Sequence, residues 1–343
     1  MKASVTPVAF LLLACGSAAD VTASDGGGST LDAAASDGRS AVEADGGGLR
    51  DGSSEGGVVV EAGACAIPRV AGVQHVTCSG VALTIAAPVA CVSQPCGIIL
   101  DIHGLSMNAE VEDANTRLRA NGNAAGYVVV QPDAPQSSSL GPTWFDSDDT
   151  AVWSAFTSVR GAFATDAKRV HVTGFSQGGY MTWRLICAHA DVLASAAPGA
   201  AGQAGCPAGN FNGSCSFAGA DKPSSPIDVL FVAGTKDAIV PAWCSAPQVA
   251  SVVAAWGGQK QKIAGDITYE RDRYVGNAGN TFEVLTHAYA TDPFGPLATN
   301  QGHCMPGADA HTGTVWDALG CTAPNAFVWG QEVLAFFIAH PRK

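Results

Sequence analysis

Short apolar runs recur along the chain and alternate with longer stretches in which apolar residues have helical spacing. The apolar runs predict strands at 81–85, 97–103, 127–131 (ending at Pro132), 169–172, 192–197 and 228–232, and the alternating run 281–289 predicts an edge strand. The helical spacing predicts helices at 151–163, 180–188, 247–256 and 326–339, and a polar stretch at 109–121 is also predicted to be helical. Since strands and helices follow one another, we expect an α/β fold with a mostly parallel central sheet and helices on both faces.

The segment HVTGFSQGGY, residues 171–180, joins a predicted strand to a predicted helix. Its centre, residues 174–178, fits the pattern G-x-S-x-G of a nucleophile elbow, in which a serine projects from a sharp turn between strand and helix. The glycines permit the close backbone approach that exposes Ser176. The alternative is a glycine-rich turn without chemistry.

A serine nucleophile needs a base and an acid that orients the base, and on this architecture both follow the serine in the chain. Asp237 lies in the loop beyond the predicted strand 228–232 and is the candidate acid, although it could be a solvated loop aspartate. His303, in the loop GHCMPG, is the candidate base. The rival bases are His311, His287, which lies within a predicted strand, and His340 near the end of the chain.

Two backbone N–H groups are needed to stabilise the oxyanion of a tetrahedral intermediate. Gln177 directly follows the serine at a helix start and supplies one candidate. The loop after strand 97–103 supplies the other, which we assign to Leu105 with Ser106 as the rival. We interpret His103 as a structural loop histidine and His171 as a residue of the core or the sheet face.

Aromatic residues near the carboxyl ends of the predicted strands are candidate substrate contacts. Trp144 and Trp243 lie in predicted loops, and Tyr180 follows the elbow. Ordinary packing explains each of them equally well. The sequence has no long insertion that would suggest a lid over the site. An uncovered site favours a large or polymeric substrate.

Composition indicates a globular chain whose charge is concentrated near its start. Of 343 residues, 47% are hydrophobic and 14% charged, and the net charge of −12 argues against nucleic acid or an anionic membrane surface as a partner. Residues 16–64 are rich in Gly, Ser, Ala and Asp, which predicts a disordered linker. Nine acidic and two basic residues give this segment seven of the net negative charges, so the predicted catalytic domain, 65–343, is only mildly acidic.

The first 15 residues predict an export signal. A lysine precedes an apolar run that is too short to span a bilayer, and the run ends in LLAC, which resembles the lipobox of bacterial lipoproteins. On that interpretation Cys15 is lipidated, and the lipid is the chain's contact with a membrane. The alternative is an ordinary signal peptide that is cleaved near Ala19. Either way we expect an exported protein, held at the cell surface, facing the periplasm or secreted.

The other ten cysteines predict an oxidising compartment and up to five disulfides. Their pairing cannot be derived from the sequence. The simplest guesses join near neighbours: Cys91 with Cys96, Cys206 with Cys215, and Cys304 with Cys321. No cysteine pair has zinc-site spacing, and no metal site is predicted.

The motifs at 103–104, 127–133, 174–179, 234–241 and 302–307 together resemble the α/β-hydrolase fold. More closely, the region from residue 65 onward resembles secreted esterases grouped with polyhydroxybutyrate depolymerases and feruloyl or acetylxylan esterases. The resemblance implies that Ser176 is the nucleophile, Asp237 the acid and His303 the base of an extracellular serine ester hydrolase that needs no cofactor. Its substrate would be an ester, including polysaccharide esters and polyesters.

One position departs from that family. Its base loop commonly contains a tryptophan where this chain has Cys304 and Met305, so Met305 becomes the candidate substrate contact, and a disulfide from Cys304 would pin the loop. Two other functions stay open: a peptidase or acyltransferase with the same three residues, and a catalytically silent surface-binding lipoprotein.

Overall fold

The structure is a computed structural model that describes residues 65–207 and 213–343. The predicted signal segment 1–15 with Cys15 and the predicted linker 16–64 lie outside the described residues.

A ten-stranded sheet is the centre of the described chain, and its six middle strands run parallel. Its strands are β1 (Gly72–Cys78), β2 (Val81–Ala87), β3 (Gly97–Ile102), β4 (Tyr127–Asp133), β7 (Val170–Phe175), β8 (Ser195–Gly199), β9 (Asp228–Gly234), β10 (Gln261–Gly265), β11 (Tyr269–Val275) and β12 (Thr281–His287). The spatial order is β1-β2-β4-β3-β7-β8-β9-β12-β11-β10, with antiparallel pairs at both ends. A separate hairpin consists of β5 (Gln136–Ser138) and β6 (Gly141–Thr143). The predicted mostly parallel sheet is confirmed.

Helices cover both faces of this sheet, as predicted. They are α1 (Ala109–Thr116), α2 (Leu118–Ala124), α3 (Asp148–Phe163), α4 (Gln177–His189), α5 (Ala242–Trp256) and α6 (Trp329–Ala339). Successive side chains of a strand point to opposite faces, so Ile98 and Leu100 pack in the core under α3, α4 and α5. Ile99, between them, packs in the second core with residues of α1, α2 and α6.

The predicted single helix 109–121 is wrong, because the chain forms two helices. Arg117 separates them in the left-handed region at φ 55°, where its N–H donates to the carbonyl of Asp113. The side chain of Asp113 then accepts from the N–H of Arg119 in the first turn of α2. The polar residues that looked like one helix face are used to end one helix and begin another.

Several predicted strands differ in place or length. The strand predicted at 192–197 is β8 and begins only at Ser195, because the N–H groups of Val192 and Leu193 donate to the carbonyl of His189 in a turn after α4. The strand predicted to stop at Pro132 continues to Asp133, because β4 pairs with β3 only as far as Val130 and needs no donor toward β3 beyond it. The predicted edge strand is β12, and it lies inside the sheet between β9 and β11. The sequence pattern did not predict β1, β5, β6, β10 and β11.

Strand β10 is the last strand at one end of the sheet. Lys262 lies within it, and Lys260 precedes it; both side chains form ion pairs with Glu270 of β11, at 2.8 Å from Lys260 and 3.3 Å from Lys262. The register between the two strands shifts between Lys262 and Ala264, which is a β-bulge.

Five disulfides join the ten cysteines of the described residues. The pairs are Cys65–Cys78, Cys91–Cys96, Cys187–Cys215, Cys206–Cys244 and Cys304–Cys321. Two of the three guessed pairs are confirmed, and Cys206–Cys215 is wrong. Cys206 lies instead against the start of α5, where the N–H of Gln203 donates to the carbonyl of Cys244. Disulfides in this number indicate an oxidising compartment.

Within residues 65–207 and 213–343, no helix combines the length and apolar composition that crossing a membrane requires.

Candidate active site

Ser176 lies at the turn between β7 and α4 in a conformation that non-glycine residues rarely adopt. Its φ is 55° and its ψ is −116°. The turn is fixed on both sides, because the N–H of Ser176 donates to the carbonyl of Gly199 at 2.9 Å and its carbonyl accepts from the N–H of Tyr180 at 3.0 Å. This is the strained strand-to-helix turn that the motif predicted.

The glycines around Ser176 let three backbone segments pass close to one another. A Cβ on Gly174 would lie 2.6 Å from the backbone of Gly178 and 2.7 Å from the carbonyl oxygen of Ile102. A Cβ on Gly178 would overlap that same carbonyl, at the end of β3. The start of α4 therefore lies directly against the ends of β3 and β7, and any larger residue would push the serine away from this edge.

Asp237 lies in the loop after β9, and its carboxylate is fully occupied. Oδ1 accepts from the N–H groups of Ile239 and Val240 at 2.8 and 2.7 Å. Oδ2 lies 2.8 Å from Nδ1 of His303. The loop therefore orients the carboxylate so that one oxygen faces the imidazole.

His303 joins the acid to the serine. Its Nδ1 lies 2.8 Å from Oδ2 of Asp237, and its Nε2 lies 2.9 Å from Oγ of Ser176. All three residues are 5% exposed or less, and the ring of Phe175 packs against the imidazole at 4.8 Å. Side chains that are 127 and 66 residues apart in the chain thus form one continuous hydrogen-bonded path.

The acid loop and the base loop meet backbone to backbone. The N–H of Gly302 donates to the carbonyl of Lys236, and Gln301 forms an isolated antiparallel bridge with Asp237. A Cβ on Gly302 would lie 2.5 Å from the N atom of Asp237, and a Cβ on Gly234 would overlap the carbonyl of Gly302. The two glycines thus set the distance between the carboxylate and the imidazole.

A disulfide and two backbone hydrogen bonds hold the other side of the base loop. The Cys304–Cys321 disulfide begins at the residue after His303. The N–H of Met305 donates to the carbonyl of Leu319, and its carbonyl accepts from the N–H of Cys321, both at 3.0 Å.

The N–H groups of Leu105 and Gln177 donate to no acceptor among the described residues. The rival donor, the N–H of Ser106, donates to the carbonyl of Pro142 at 2.8 Å and is already used. A Cβ on Gly104 would lie 3.3 Å from Cβ of Ser176, so the loop that carries Leu105 passes beside the serine. Leu105 and Gln177 therefore remain the predicted oxyanion donors.

The other histidines have structural surroundings. His287 is buried in β12, where burial lowers its pKa to about 4 and its carbonyl accepts from the N–H of Thr235. His311 is largely exposed beside Asp309, and His340 stacks on Phe336.

His103 and His171 lie where the sequence analysis placed them, in a loop and in the core. Nδ1 of His103 lies 2.7 Å from the carbonyl of Gly104, and its Nε2 accepts from the N–H of Ala134. His171 is buried between Tyr127 and Phe337, with Nδ1 2.8 Å from Oγ of Ser195. Burial lowers the pKa of His103 to about 4 and that of His171 to about 3, so both rings are neutral near pH 7.

Three of the four predicted substrate contacts are buried against the protein itself. Trp144 packs on His103, and the hydroxyl of Tyr180 donates to the carbonyl of Cys206. Met305 is fully buried, and its backbone is bonded to Leu319 and Cys321. Their side chains offer little surface to a substrate in this conformation. Trp243 was predicted to lie in a loop but lies in the first turn of α5, and it is 64% exposed. Its role as a substrate contact stays a prediction.

Two groups of residues near the site were missed by the sequence analysis. One is the β5–β6 hairpin, which contacts the loop of Leu105. The other is a pair of buried carboxyls, Asp101 on β3 and Glu112 on α1, of which Asp101 contributes to raising the pKa of Glu112. The available signal was Asp101 within an apolar run, whereas Glu112 lies in a polar stretch beside Glu110 and Asp113 and gave none.

The sequence was compared with protein families and with characterised proteins. No family model matches the chain. Over 143 residues it is 26% identical to the bifunctional acetylxylan esterase/xylanase XynS20E of Neocallimastix patriciarum, a match that covers 42% of this chain and 19% of that protein. Over 152 residues it is 28% identical to NocK, a candidate esterase of Nocardia uniformis subsp. tsuyamanensis, covering 42% of this chain and 41% of that one. The matches therefore span about a fifth and about two fifths of these relatives.

Among solved structures, the acetyl xylan esterase from Aspergillus awamori superposes with a TM-score of 0.51 at 19% identity. The match covers 63% of this chain and 93% of that structure. Likeness at this identity concerns the fold, and it agrees with the strand order and with the strand–turn–helix around Ser176. The chain therefore has the α/β-hydrolase fold.

Proposed function

We propose that the protein is a serine ester hydrolase that cleaves carboxylic esters through an acyl-enzyme. The observation that carries the proposal is the path from Oγ of Ser176 through both nitrogens of His303 to Oδ2 of Asp237, with separations of 2.9 and 2.8 Å. The names of the relatives, acetylxylan esterase and candidate esterase, support the same reaction.

Acylation begins with an imidazole that carries its proton on Nδ1. That N–H donates to Asp237, so Nε2 is free to take the proton of Ser176 as Oγ attacks the ester carbonyl carbon. Asp237 then stabilises the imidazolium, and the N–H groups of Leu105 and Gln177 bind the oxyanion. His303 returns the proton to the leaving alcohol as the carbon–oxygen bond breaks.

Deacylation repeats the steps with water. His303 takes a proton from water as its oxygen attacks the acyl-enzyme, and it returns that proton to Oγ of Ser176 when the carboxylic acid leaves. The reaction requires no group beyond these residues and water.

For the substrate we propose an acyl ester on a large molecule outside the cell. Acetylated polysaccharide is the first choice because the matched relative and the matched structure are named for acetylxylan. Feruloyl esters and poly(3-hydroxybutyrate) are the other members of the group that the sequence resembles. The five disulfides support export, and attachment through a lipid at Cys15 is part of the same proposal.

A panel of substrates tests the reaction. Purified protein is assayed with p-nitrophenyl acetate and butyrate, acetylated xylan, methyl ferulate, poly(3-hydroxybutyrate) particles and a peptide p-nitroanilide. We expect ester turnover that falls by about 10⁴-fold or more in Ser176→Ala, since residues that act together fail together. Labelling by a fluorophosphonate should be lost in the same variant.

Thr173→Ser serves as a matched control, because it alters a hydroxyl residue on β7 that donates to the carbonyl of Ala197 and does not contact His303. Ester turnover that survives in Ser176→Ala would refute the assignment. Faster cleavage of the peptide anilide than of every ester would replace the esterase with a peptidase.

A further inference from the structure

The β5–β6 hairpin and the residue after it reach both predicted oxyanion donors. We propose that the segment 140–144 sets the separation of the Leu105 and Gln177 N–H groups, and that Ser106 and Trp144 are positioning residues of the reaction. The inference rests on the proposed ester hydrolysis and adds residues to it that the sequence motifs do not contain.

The first contact is made by Ser106, which follows Leu105. Its N–H donates to the carbonyl of Pro142 at 2.8 Å, and its hydroxyl donates to the carbonyl of Leu140. Both acceptors belong to the hairpin, more than thirty residues further along the chain. Within the loop itself, the Gly104 carbonyl of the same peptide unit accepts from the N–H of Met107 at 3.2 Å and lies 2.7 Å from Nδ1 of His103. The hairpin adds support on the other side of Leu105, at Ser106.

The second contact is made by Trp144, which follows β6. Its backbone N–H donates to Oε1 of Gln177 at 3.1 Å, and its indole Nε1–H donates to the carbonyl of His103 at 2.9 Å. Gln177 carries one predicted oxyanion amide, and His103 begins the loop that carries the other. Trp144 therefore joins the two halves of the predicted oxyanion hole.

The backbone of the loop needs this support. Ser106 has φ 63°, in the left-handed region, although it is not a glycine. Gly141, at φ 107°, packs so closely on Ser106 that a Cβ there would lie 3.2 Å from its Oγ and 3.3 Å from its Cα. Without the two bonds to the hairpin, Ser106 loses what offsets that conformation, and only the bonds to the Gly104 carbonyl still orient the Leu105 amide.

The expected effect follows from how oxyanion donors act. Removing one donor costs about 10²–10³-fold in kcat, and a shift of about 1 Å in a reacting group costs on the order of 10²-fold. Loss of a positioning contact should therefore lower kcat by about 10–100-fold. KM for a small ester should change less, because the donors stabilise the transition state more than the bound ester.

Two variants test the proposal separately. Trp144→Phe keeps an aromatic ring but removes the indole N–H that binds the carbonyl of His103, and Ser106→Ala removes only the hydroxyl that binds the carbonyl of Leu140. Ser106→Gly lacks the same hydroxyl but tolerates φ 63°, so equal losses in both Ser106 variants assign the effect to the hydrogen bond. Trp153→Phe on α3, where the indole stacks on His189, is the matched tryptophan control.

Each variant is measured with p-nitrophenyl acetate, with active sites counted by fluorophosphonate titration, and with a boronic acid that forms a tetrahedral adduct on the serine. We expect kcat per active site to fall about 10–100-fold in Trp144→Phe and Ser106→Ala and to stay unchanged in Trp153→Phe. The boronic acid should lose affinity in proportion to kcat/KM, which a general loss of folded protein would not produce.

Unchanged kcat per titrated site in Ser106→Ala overturns the proposal, even if Trp144→Phe fails to fold. The proposal is also overturned if the variants lower only the fraction of active sites that the fluorophosphonate titrates, with kcat per active site unchanged. If the unmodified protein neither hydrolyses the ester nor reacts with the phosphonate, the proposed function itself is wrong, and that outcome is distinct from active but unaffected variants.

Discussion

At the scale of single residues, one member of the hydrogen-bonded path and one residue close to it share a strained backbone conformation. Ser176 has φ 55° and ψ −116°, and Gln301 has φ 46° and ψ −117°. Non-glycine residues held in such regions cost about 1–3 kcal/mol each and persist when their surroundings fix them. Here the surroundings are backbone bonds, from Ser176 to Gly199 and from Thr291 to Gln301. Backbone strain therefore lies at the nucleophile itself and two residues before the base.

Gly302→Ala tests how closely the acid and base loops must approach. The new Cβ would lie 2.5 Å from the N atom of Asp237, so the loops must move apart and the bond between His303 and Asp237 must lengthen. We expect kcat for a small ester to fall by about 10²-fold or more, because the imidazole loses its orientation.

Gly161→Ala is the control for this variant. Gly161 lies in α3 with nothing within 4 Å of an added Cβ, so the substitution should stabilise the helix by about 0.5–1 kcal/mol and leave kcat unchanged. An active Gly302→Ala protein would show that the contact between the loops does not set the geometry.

At the scale of elements, β3, β4, α1 and α2 meet around a buried polar network. Oδ2 of Asp101 accepts from Gln131 at 2.6 Å and from Thr116 at 3.1 Å. No N–H or O–H of the described residues reaches its Oδ1 or either carboxyl oxygen of Glu112. Burial, and then the neighbouring Asp101, raise the pKa of Glu112 well above its usual value, and burial raises that of Asp101 to about 7. A proton kept on Glu112 supplies the missing donor between the two carboxyls.

The pH dependence of stability follows from these directions. Both carboxyls bind protons more tightly in the folded than in the unfolded chain. Their contribution to the free energy of unfolding is therefore largest at low pH and falls as pH rises above about 4. For Asp101 this fall continues until the pH passes about 7. Glu112→Gln keeps the shape and a permanent donor. We therefore expect the free energy of unfolding of Glu112→Gln, minus that of the parent, to be more favourable at pH 8 than at pH 5. Urea unfolding at both pH values measures this difference.

Asp191→Asn, at an exposed carboxyl after α4, is the comparison for Glu112→Gln and should follow the parent at both pH values. If the difference between Glu112→Gln and the parent is the same at pH 5 and pH 8, the two carboxyls do not share a proton.

Which elements the sequence could predict depends on their burial. Strands β3, β7 and β9 are buried along their whole length and have long apolar runs, so their pattern is unmistakable. Strand β11 reads YERDRYV, and its charges are satisfied across the sheet, as where Arg271 pairs with Glu283 at 2.6 Å. Such partners are invisible in a single sequence. The elbow is recognisable because its residues are contiguous, whereas the contacts of Ser106 lie on a hairpin more than thirty residues away.

At the scale of the whole molecule, covalent links reach into the candidate site. Only the Cys304–Cys321 pair of the described disulfides begins next to His303, while Cys91–Cys96 closes a short loop between β2 and β3. Removing a native disulfide typically costs about 2–5 kcal/mol. The position of the link should therefore decide whether activity or only stability is lost.

Replacing both cysteines of each pair by alanine separates these effects. We expect the variant without Cys304–Cys321 to lose at least about tenfold in kcat below its unfolding temperature, because the loop of His303 is then held only by its backbone bonds and the bond to Asp237. The variant without Cys91–Cys96 should lose some thermal stability at unchanged kcat. Equal kcat in both variants would mean that the loop is held without its disulfide.

The bulge and the lysine ion pairs of β10 have a consequence for how copies of this protein behave when crowded. The outermost strand of a sheet offers unpaired peptide groups to any neighbour that can align with it, and charged side chains and an irregular register are means by which proteins prevent this. With Lys262 on the strand, Lys260 beside it and the shift before Ala264, the sheet cannot readily extend into a neighbour's sheet through its β10 edge. Dense packing of molecules should then not join them edge to edge through β10.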